Sequence, residues 1–585
     1  MLRSLLRCSL SVCLLAAVSN AQWSGDAAVN FPIADASSDQ VQPKIARTPD
    51  GGCWISWLDG IATGFDVRIQ KLDAQGNEVF PHNGLLVADR GFSSTQDYGL
   101  DVDRFGNAVL AYRDDSGTGI QITANKVTPA GALDWGAAGV QVTSTTAFVA
   151  SPKIAATDAF SGAVIAWTQD NSAHLTALNS MGLWLWDDVL TPVSGSYSPA
   201  DIQSVGDDSI LSYVHQTGGF GSPRRLKAQK HNPAGLRWWG AEGKVVFDTG
   251  SLQFGNFPAF TADGNGGAVF SWYDTGSLQL QCYVQRLNTS GTEVFAHNGV
   301  AVSTNATRIR VSPSASYDPV SGDTFVFWVE QNSAQSQWGL FGQKLDATGA
   351  RQWTDEGAAL IPVGSTVVGQ VNGLADGVGA AVFWESSPSF GNDVLNGAHV
   401  SGAGAFDIGP YDVASTPSGK SRLAVELGKL GNALLAWTDD RVDSGDVLGQ
   451  SVDSDGTLGP PPGFWTDLGF ALAGAYGDPT LWAAGSLVVG TPFRLSLGNA
   501  LESSTAGLFV GLSAINAPFK GGTLVPANDL LVILPTSSTG GLDLGLPAWP
   551  PGLPTGLVLH MQAWIVDIAG PVGFSASNAV ARTVP

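Results

Sequence analysis

The chain has 585 residues and a formal charge of −22, with 29 Lys or Arg against 51 Asp or Glu. It contains no basic cluster, so nucleic acid and anionic membrane surfaces are poor partners for it. Gly and Pro number 73 and 31 and only 14% of the residues are charged. This composition is typical of many short strands and turns rather than helices, and the length suggests two or three domains.

The N-terminus has the pattern of an export signal. Arg3 and Arg7 precede a short apolar run, and a small-residue cleavage site ends at Ala21. We therefore expect residues 1–21 to be a signal peptide and the protein to be extracellular, periplasmic or attached to the cell surface. A membrane anchor is the alternative, but the run is too short to span a bilayer and no second one follows, so no transmembrane segment is predicted.

Two of the four cysteines precede the predicted cleavage site. Cys53 and Cys282 remain, far apart and in apolar surroundings. We interpret each as a buried free thiol. An exported protein without a disulfide framework must be stabilised by core packing.

An aromatic residue at the end of a short apolar run recurs eight times along the chain. The eight residues are Trp57, Tyr112, Trp167, Tyr213, Trp272, Trp328, Trp384 and Trp437. Their spacing lies between 46 and 59 residues, which indicates a repeat architecture. About five apolar residues between turn signals are typical of a strand that is covered on both faces.

Each repeat contains four candidate strands. In the first repeat they are Pro43 to Ala46, Cys53 to Trp57, Val67 to Leu72 and Gly84 to Ala88. Four short antiparallel strands per repeat are typical of the blade of a β-propeller, because neighbouring blades bury the apolar second strand. We predict an all-β fold with an eight-bladed propeller over residues 22–459. An open β-solenoid is the main alternative.

The eighth repeat lacks a fourth strand, since it ends at Gly456 and three prolines follow at 460–462. Near the mature N-terminus, Trp23 to Val29 matches Trp353 to Ala359, a segment that leads into a fourth strand. We therefore predict that the N-terminal strand completes the eighth blade. The ring would then be closed and would leave no open sheet edge.

The third strands share an ending. It reads Gln-Lys/Arg-Leu-x-x-x-Gly at Gln70 to Gly76, Gln285 to Gly291 and Gln343 to Gly349. With the aromatic-acidic pair before it, this ending resembles a group of exported bacterial propeller repeats, and the resemblance covers about residues 22–459. It implies no catalytic residues. The signature is lost at Thr176 and Ala398, so we expect less regular blades in repeats three and seven.

The segment after the ring has a different character. Residues 460–463 form a proline linker, and residues 464–585 carry few charges and no copy of the repeat. The candidate strands are Phe493 to Leu497, Leu508 to Leu512, Asp529 to Leu534 and Leu557 to Val566. Short strands punctuated by Gly and Pro predict a β-sandwich.

This segment also resembles a C-terminal module of exported proteins from planctomycete-type bacteria. The matching pieces include Trp465 to Gly469, Pro518 to Leu524, Gln562 to Trp564 and Ser577 to Ala579. The resemblance implies an exported protein with a shared terminal domain for attachment or sorting. It implies no activity.

An acidic residue follows the repeat aromatic in most repeats, at the predicted start of the loop between the second and third strands. The binding candidates are Asp59, Asp114, Asp274, Glu330, Glu385, Asp439 and Asp440. On one face of a ring, such carboxylates would attract Ca²⁺, basic peptides or polar glycans. We favour the alternative, in which they end strands and cap turns in each blade. No cofactor is predicted apart from this calcium alternative.

Histidine and tryptophan residues give two weaker signals. His82 and His297 each precede an Asn-Gly pair, which invites a metal interpretation, although a turn explains both pairs. Four tryptophans in irregular repeats are candidates for stacking on sugars: Trp184, Trp186, Trp238 and Trp239.

The sequence lacks the motifs of several enzyme classes. No histidine is followed by Glu, and neither a nucleophile elbow nor a P-loop is present. Our leading hypothesis is a non-enzymatic propeller that binds a protein or glycan through one face. A carbohydrate-active hydrolase or lyase that acts in the central funnel of the propeller is the second hypothesis. Two carboxylates at glycosidase separation in that funnel, or a Tyr-His-Arg cluster there, would favour it. A purely structural envelope protein is the third, and the sequence does not set the oligomeric state.

Overall fold

The computed structural model describes residues 22–91, 97–117, 119–276, 280–319, 321–460, 465–491, 493–537, 540–546 and 548–585. Within them, regular structure is β-strand apart from one short 3₁₀ helix, Pro571–Gly573. The all-β prediction is therefore confirmed. The predicted signal peptide and most of the predicted proline linker lie outside the described residues. No helix of the described part is long and apolar enough to cross a bilayer.

Sheets of four antiparallel strands follow one another along the chain. The first consists of Gln40–Arg47, Cys53–Ile61, Gly64–Leu72 and Leu85–Ala88. The second consists of Gly99–Val102, Ala108–Gly117, Gly119–Val127 and Val140–Gln141. The third consists of Val149–Thr157, Gly162–Gln169, Ser172–Leu178 and Trp184–Leu190. The fourth consists of Ser196–Val205, Asp208–Gln216, Arg224–His231 and Lys244–Phe247.

The series continues in the same pattern, and we call the sheets blades one to eight. The fifth consists of Phe260–Ala262, Ala268–Asp274, Gln281–Leu287 and Val300–Ala301. The sixth consists of Arg308–Tyr317, Thr324–Asn332, Trp338–Leu345 and Ala358–Gly364. The seventh consists of Val367–Ala375, Gly379–Ser387, Asp393–Ser401 and Phe406–Ser418. The eighth consists of Lys420–Leu427, Ala433–Asp439, Asp446–Val452 and the N-terminal Phe31–Ala34.

The blades are arranged in a circle. The first strand of each blade contacts the first strand of the next, and that of blade eight contacts that of blade one. The first strands therefore surround a central channel. Behind them, the second strands are buried on both faces, and their aromatic residues Trp57, Trp272, Trp328 and Trp437 have no exposed surface. The prediction of a β-propeller is confirmed.

The N-terminal segment joins the last blade. Phe31–Ala34 pairs antiparallel with Asp446–Val452, which confirms the predicted pairing. Trp23 packs on Gly76, whose φ is +84°, and a Cβ at that glycine would lie 2.3 Å from the indole. Trp353 packs on Gly404 in the same way. The matching sequences around Trp23 and Trp353 therefore perform one task, which is to cover the repeat glycine of the following blade.

The Gln of the repeat signature has a structural role. Gln70 is fully buried, and its Oε1 accepts hydrogen bonds from the amides of Lys71 and Phe80 at 3.0 and 3.2 Å. The side chain thus holds the chain that leads from the third strand into the fourth. Blades three and seven lack this Gln yet still form four strands. In blade three the outer pairing shifts register once, whereas in blade seven it shifts at four places, so the expected irregularity is marked only in blade seven.

A C-terminal module follows the ring. Its larger sheet contains, in spatial order, Thr466–Gly469, Ala579–Thr583, Val558–Val566, Thr505–Gly511 and Leu530–Pro535, with Phe574–Ala576 also paired to the third of these. A smaller sheet contains Thr480–Ala484, Phe493–Gly498 and Leu542–Leu546, and a hairpin joins Ala514–Phe519 to Gly522–Pro526. Both sheets supply one hydrophobic core, for example through Leu481, Leu495, Leu508 and Ile565. The β-sandwich stays a prediction for this module, and the core shared by two sheets is the observation that favours it.

Cys53 and Cys282 are free and buried, as predicted. Cys53 lies in the second strand of blade one and Cys282 in the third strand of blade five. Burial raises the pKa of both thiols well above the usual value. Each cysteine therefore acts as a small apolar core residue.

Candidate ligand-binding face and central channel

The ring has two distinct ends. At one end, the loops between second and third strands lie beside the connections that lead from blade to blade. Backbone hydrogen bonds join the two kinds of segment, from Gly60 N to Asp39 O and from Thr275 N to Ser251 O, both at 2.7 Å. We call this end the upper face. The lower face carries the turns between first and second strands and the hairpins between third and fourth strands.

The predicted acidic candidates lie at the upper ends of the second strands. Six of them lie inside a strand: Asp59, Asp114, Asp274, Glu330, Glu385 and Asp439. The prediction that they begin the loops is corrected here, because hairpin pairing reaches or passes each of them, as where Asp59 lies opposite Asp66. Asp440 follows the strand, is exposed and accepts a hydrogen bond from the amide of Gly419.

Two of these carboxylates are bound to the repeat tryptophans. Trp328 Nε1 donates to Glu330 at 2.7 Å, and Trp437 Nε1 donates to Asp439 at 2.9 Å. Residues two apart in a strand point to the same face, so the aromatic and the acid meet on one side of the blade. Glu330 also lies 3.3 Å from Arg310 Nε. In blades six and eight, a buried hydrogen bond therefore explains the aromatic-acidic spacing.

Asp439 lies at the centre of a buried polar cluster. Its carboxylate lies 3.3 Å from Lys420 Nζ and 2.8 Å from Arg441 Nη2, and it accepts a hydrogen bond from Ser418 Oγ at 2.7 Å. Although burial opposes ionisation, the bonds from Arg441 and Trp437 and the charge of Lys420 lower the pKa of Asp439 to about 2. Ser418 and Lys420 touch, but each is only 5% exposed, so a substrate could not reach this pair.

Other members of the acidic set also have partners within the fold. Asp59 pairs with Arg68 at 2.8 Å, and Glu385 accepts a hydrogen bond from Gln370. Asp274 accepts two backbone amides at 2.8 and 2.7 Å. These contacts fasten strand ends and leave few oxygens free for a ligand. Among the described residues, no group of three or more His, Cys, Asp or Glu is placed to hold a metal ion.

A cavity of about 610 Å³ occupies the central channel. Asp97 lies 2.8 Å from Lys44 and also contacts Lys153. Although burial opposes ionisation, the two ammonium groups hold the pKa of Asp97 well below its usual range. These residues come from three consecutive blades, so the ion cluster ties the inner strands together.

Five carboxylates line the channel cavity, and three of them, Asp101, Asp201 and Glu426, lie in first strands. Asp101 accepts a hydrogen bond from the backbone amide of Ala156 at 2.8 Å, and Asp201 accepts one from the amide of Phe260 at 3.2 Å. In each case the donor belongs to the next blade. Burial, reinforced by the charges of Glu426 and Asp201, raises the pKa of Asp101 to about 7. Burial also raises the pKa of Asp201 and of Glu426.

The C-terminal module covers the lower mouth of the channel. Arg104, in a lower turn of blade two, pairs with Glu502 and lies 3.8 Å from the ring centre of Tyr476. Tyr476 Oη donates to Glu502 at 2.8 Å. Across the mouth, Arg494 donates to the backbone oxygen of Asp376 at 2.7 Å. Module residues line the channel cavity, so the channel ends against the module.

A second cavity of about 580 Å³ lies between the lower face and the module. On its wall, His399 lies 3.2 Å from Asp376 and 2.6 Å from Asp407. Although burial opposes the charged form, the two carboxylates raise the pKa of His399 to about 9. Arg47 and Lys429 line both cavities, so the two spaces meet beneath the ring.

The upper face presents exposed apolar side chains from loops of several blades. They are Ile61, Phe148, Val193, Phe220, Phe254, Phe257, Phe390 and Val442. A single exposed apolar residue needs no explanation, because the surfaces of all proteins contain them. A set that is supplied by separate loops on one end of a ring is typical of an interaction surface.

Three of these phenylalanines form a cluster between blades four and five. The rings of Phe220 and Phe254 are 5.5 Å apart and edge to face, and the two side chains are 89% and 71% exposed. Arg224 is buried beneath them, 5.6 Å from the ring of Phe254 and 5.0 Å from that of Phe257. Burial lowers the pKa of Arg224. We call these four residues the phenylalanine cluster.

The tryptophans considered for sugar stacking divide into two pairs. Trp239 is buried, and Trp186 is half-buried and stacked on His231. Trp184 and Trp238 are 50% and 58% exposed. Both exposed rings belong to the outer strand region and lower hairpins of blades three and four, away from the phenylalanine cluster.

Sequence reasoning missed two groups of residues. The channel carboxylates Asp101 and Glu426 stand at the same distance before the repeat aromatics Tyr112 and Trp437, and that shared position was the available signal. The loop phenylalanines follow no repeat position. Their only signal was an aromatic residue inside a Gly-rich or polar loop, which sequence alone does not separate from chance.

Comparisons with known proteins place the chain among distant structural neighbours. No protein-family model and no curated protein matches it. The Dos1 propeller has a TM-score of 0.40 and 11% identity, over 74% of this chain and 95% of that one. An ulvan lyase has a TM-score of 0.40 and 10% identity, over 75% of this chain and 96% of that one. Prolyl oligopeptidase B from Galerina marginata has a TM-score of 0.36 and 10% identity, over 69% of this chain and 55% of that one.

Proposed function

We propose that this chain is an exported, non-enzymatic propeller that binds a protein or glycan through its upper face. One observation supports the proposal most: the C-terminal module covers the lower mouth, whereas the upper face carries exposed apolar side chains from several blades. The module would then serve attachment or interaction outside the cell. Export belongs to the proposal and is motivated by the signal pattern in residues 1–21.

The phenylalanine cluster has the chemistry of a recognition site. Aromatic rings offer a large contact area at little cost in side-chain entropy, and they pack on sugar rings as well as on protein side chains. Arg224 adds a buried positive charge behind the rings. The chain as a whole carries a charge of −22, which repels acidic polymers. We therefore expect a neutral or basic ligand.

The test uses the full mature chain on a glycan array and on an extracellular protein panel. Replacing Phe220, Phe254 and Phe257 by Ala should weaken any specific binding at least tenfold, because aromatic contacts carry about 2 kcal/mol or more in interfaces. The matched control replaces Trp184 and Trp238, which are also exposed aromatics, and should leave binding unchanged. Equal binding by all three proteins would overturn the upper-face proposal.

A carbohydrate-active enzyme is the second candidate, and the channel carboxylates favour it. A carboxyl group with a pKa near 7 suits general acid catalysis, and Asp101 has such a value. The upper mouth would admit the substrate. The test measures product release from neutral polysaccharides by the full mature chain and by Asp101→Asn. Turnover that the variant loses would favour the enzyme over the binding protein, and absence of both turnover and binding would favour the structural envelope protein.

A further inference from the structure

The larger sheet of the C-terminal module has two unlike edges. One edge is Thr466–Gly469, a four-residue strand that contains Asp467. Short length and an edge charge are the usual protection against pairing with another chain. The other edge is Leu530–Pro535, which has six residues and no charge. In it, Leu530, Leu531 and Ile533 are 55%, 41% and 60% exposed.

The second edge strand is apolar and is held in place by the strand beside it. Leu530–Pro535 pairs on one side with Thr505–Gly511, and no other strand of the described residues pairs with it. The side chains of Leu531 and Ile533 lie over Gly507, where a Cβ would lie 3.1 and 3.6 Å from their δ carbons. The free backbone groups of this strand are therefore flanked by exposed aliphatic surface, which favours the addition of another strand.

The low charge of the module indicates which partner can pair with this edge strand. Residues 465–585 contain three Lys or Arg and six Asp or Glu, a formal charge of −3, against −22 for the whole chain. A second copy therefore meets the least repulsion at the module. When a strand pairs antiparallel with its own copy, any charged residue in it lies close to the same residue of the copy, and the two charges repel. Leu530–Pro535 contains no charged residue, so this repulsion is absent. The adjacent carboxylate, on Asp529, accepts the amide of Leu512 at 2.8 Å.

We propose that Leu530–Pro535 is a docking strand for a second copy of this chain. Two such strands would pair antiparallel about a twofold axis, so that one sheet continues across two modules. The protected edge at Thr466–Gly469 would stop the association at two chains. This dimer would direct both propeller rings away from a shared centre, and it does not depend on the function proposed for the upper face.

Sedimentation velocity of the full mature chain from about 1 to about 100 µM tests the proposal. We expect a concentration-dependent dimer that strengthens with added salt, because salt screens the repulsion between two acidic chains. Ile533→Lys should raise the dissociation constant at least tenfold. Ile568→Lys is the matched control, since Ile568 is 92% exposed and lies outside the strand. It should dimerise like the wild type.

Amide hydrogen exchange identifies the strand directly. Exchange over residues 530–535 should slow as the wild-type concentration rises, and it should not slow in Ile533→Lys. A thermal melt checks that the variant folds, and Leu531→Lys replaces it if the melt falls. A wild-type chain that stays monomeric throughout the range overturns the proposal. So does a dimer that persists in the folded lysine variants, or one in which exchange at 530–535 is independent of concentration.

Discussion

The propeller ring and the C-terminal module manage their sheet edges differently. In the ring, the outer edge of blade eight is completed by Phe31–Ala34 from the other end of the chain. In the module, no described strand pairs with the outer side of Leu530–Pro535, and stability depends on a core shared by two sheets. The ring therefore depends on every blade at once, whereas the module is stabilised by its own interior.

The two regions also differ in their use of charge. The ring contains buried or half-buried ion clusters. Asp97 with Lys44 and Lys153 joins three consecutive blades, and Asp439 with Lys420 fastens two strands of blade eight. The module is nearly uncharged and packs through apolar contacts. Changes of pH or of single charges should therefore act on the ring and on its contact with the module far more than on the module itself.

Deletion of residues 22–34 should break the ring while sparing the module. It removes Trp23, Phe31 and Ile33, and full burial of each such side chain contributes about 1.5 to about 3 kcal/mol. It also opens the edge of Asp446–Val452. In scanning calorimetry, we expect the ring transition to fall sharply or vanish and the module transition to stay. A ring transition at its wild-type temperature would contradict closure by this strand.

Substitution within one blade should have the next largest effect. Trp328→Ala removes a side chain with no exposed surface and leaves Glu330 without its indole donor, so we expect a loss of about 3 to about 5 kcal/mol in the free energy of unfolding. Trp238→Ala is the control, because that ring is 58% exposed, and should change stability by less than about 0.5 kcal/mol. Denaturant melts compare the two, and equal losses would contradict the assigned core.

Arg104→Ala should separate the two regions without unfolding either. The variant loses the ion pair with Glu502 and the stack on Tyr476, and hydrogen bonds to charged groups contribute about 1.5 to about 3 kcal/mol. Small-angle scattering should show a larger radius of gyration. Arg351→Ala is the control, because its ion pair with Asp355 lies within one blade. An unchanged radius in Arg104→Ala would show that other contacts hold the module.

The lower side of blade seven should become less stable as pH rises. The folded-state pKa of His399 is about 9, above the ordinary 6.5, because Asp376 and Asp407 flank it. A raised pKa stabilises the fold fully below about pH 6.5, and that contribution is lost as pH rises through about 9. The melting temperature should fall over this window, and less steeply in His399→Gln. Since His82 has a similar pKa, part of the slope should remain. Parallel slopes would rule out a role for His399.

Calcium should have the smallest effect. The carboxylates of Asp59 and Asp274 are occupied by Arg68 and by backbone amides, so adding Ca²⁺ should not shift the melting temperature of the wild type. Asp59→Asn and Asp274→Asn should then show no change in calcium response. A rise in the wild type that these variants lose would establish the acidic ring as a metal site.

The fold of the ring could largely be read from the sequence, because its determinants repeat. Trp57 and its equivalents recur because each second strand must be buried on both faces. Trp23 indicates the closing strand because it covers Gly76 as Trp353 covers Gly404. The acidic residues were found for the same reason. Their location inside the strands was missed, because sequence does not show how far a hairpin stays paired.

The channel, the module contact and the phenylalanine cluster could not be read from the sequence. Asp97 meets Lys44 and Lys153 only because three blades turn around one axis. Arg104 and Glu502 belong to different regions and follow no pattern. The upper loops vary in length and sequence, since no packing constraint repeats in them. Features that depend on a repeated burial requirement were predictable, and features that depend on long-range placement were not.

The most direct test of the account is ligand binding by three forms of the full mature chain on the same glycan and protein panels. The forms are the wild type, the variant with Phe220, Phe254 and Phe257 replaced by Ala, and the variant with Trp184 and Trp238 replaced by Ala. We expect binding to be at least tenfold weaker than in the wild type only in the phenylalanine variant. Binding that survives in the phenylalanine variant and is lost in the tryptophan variant would place the ligand on the lower, outer side of the ring and contradict the account.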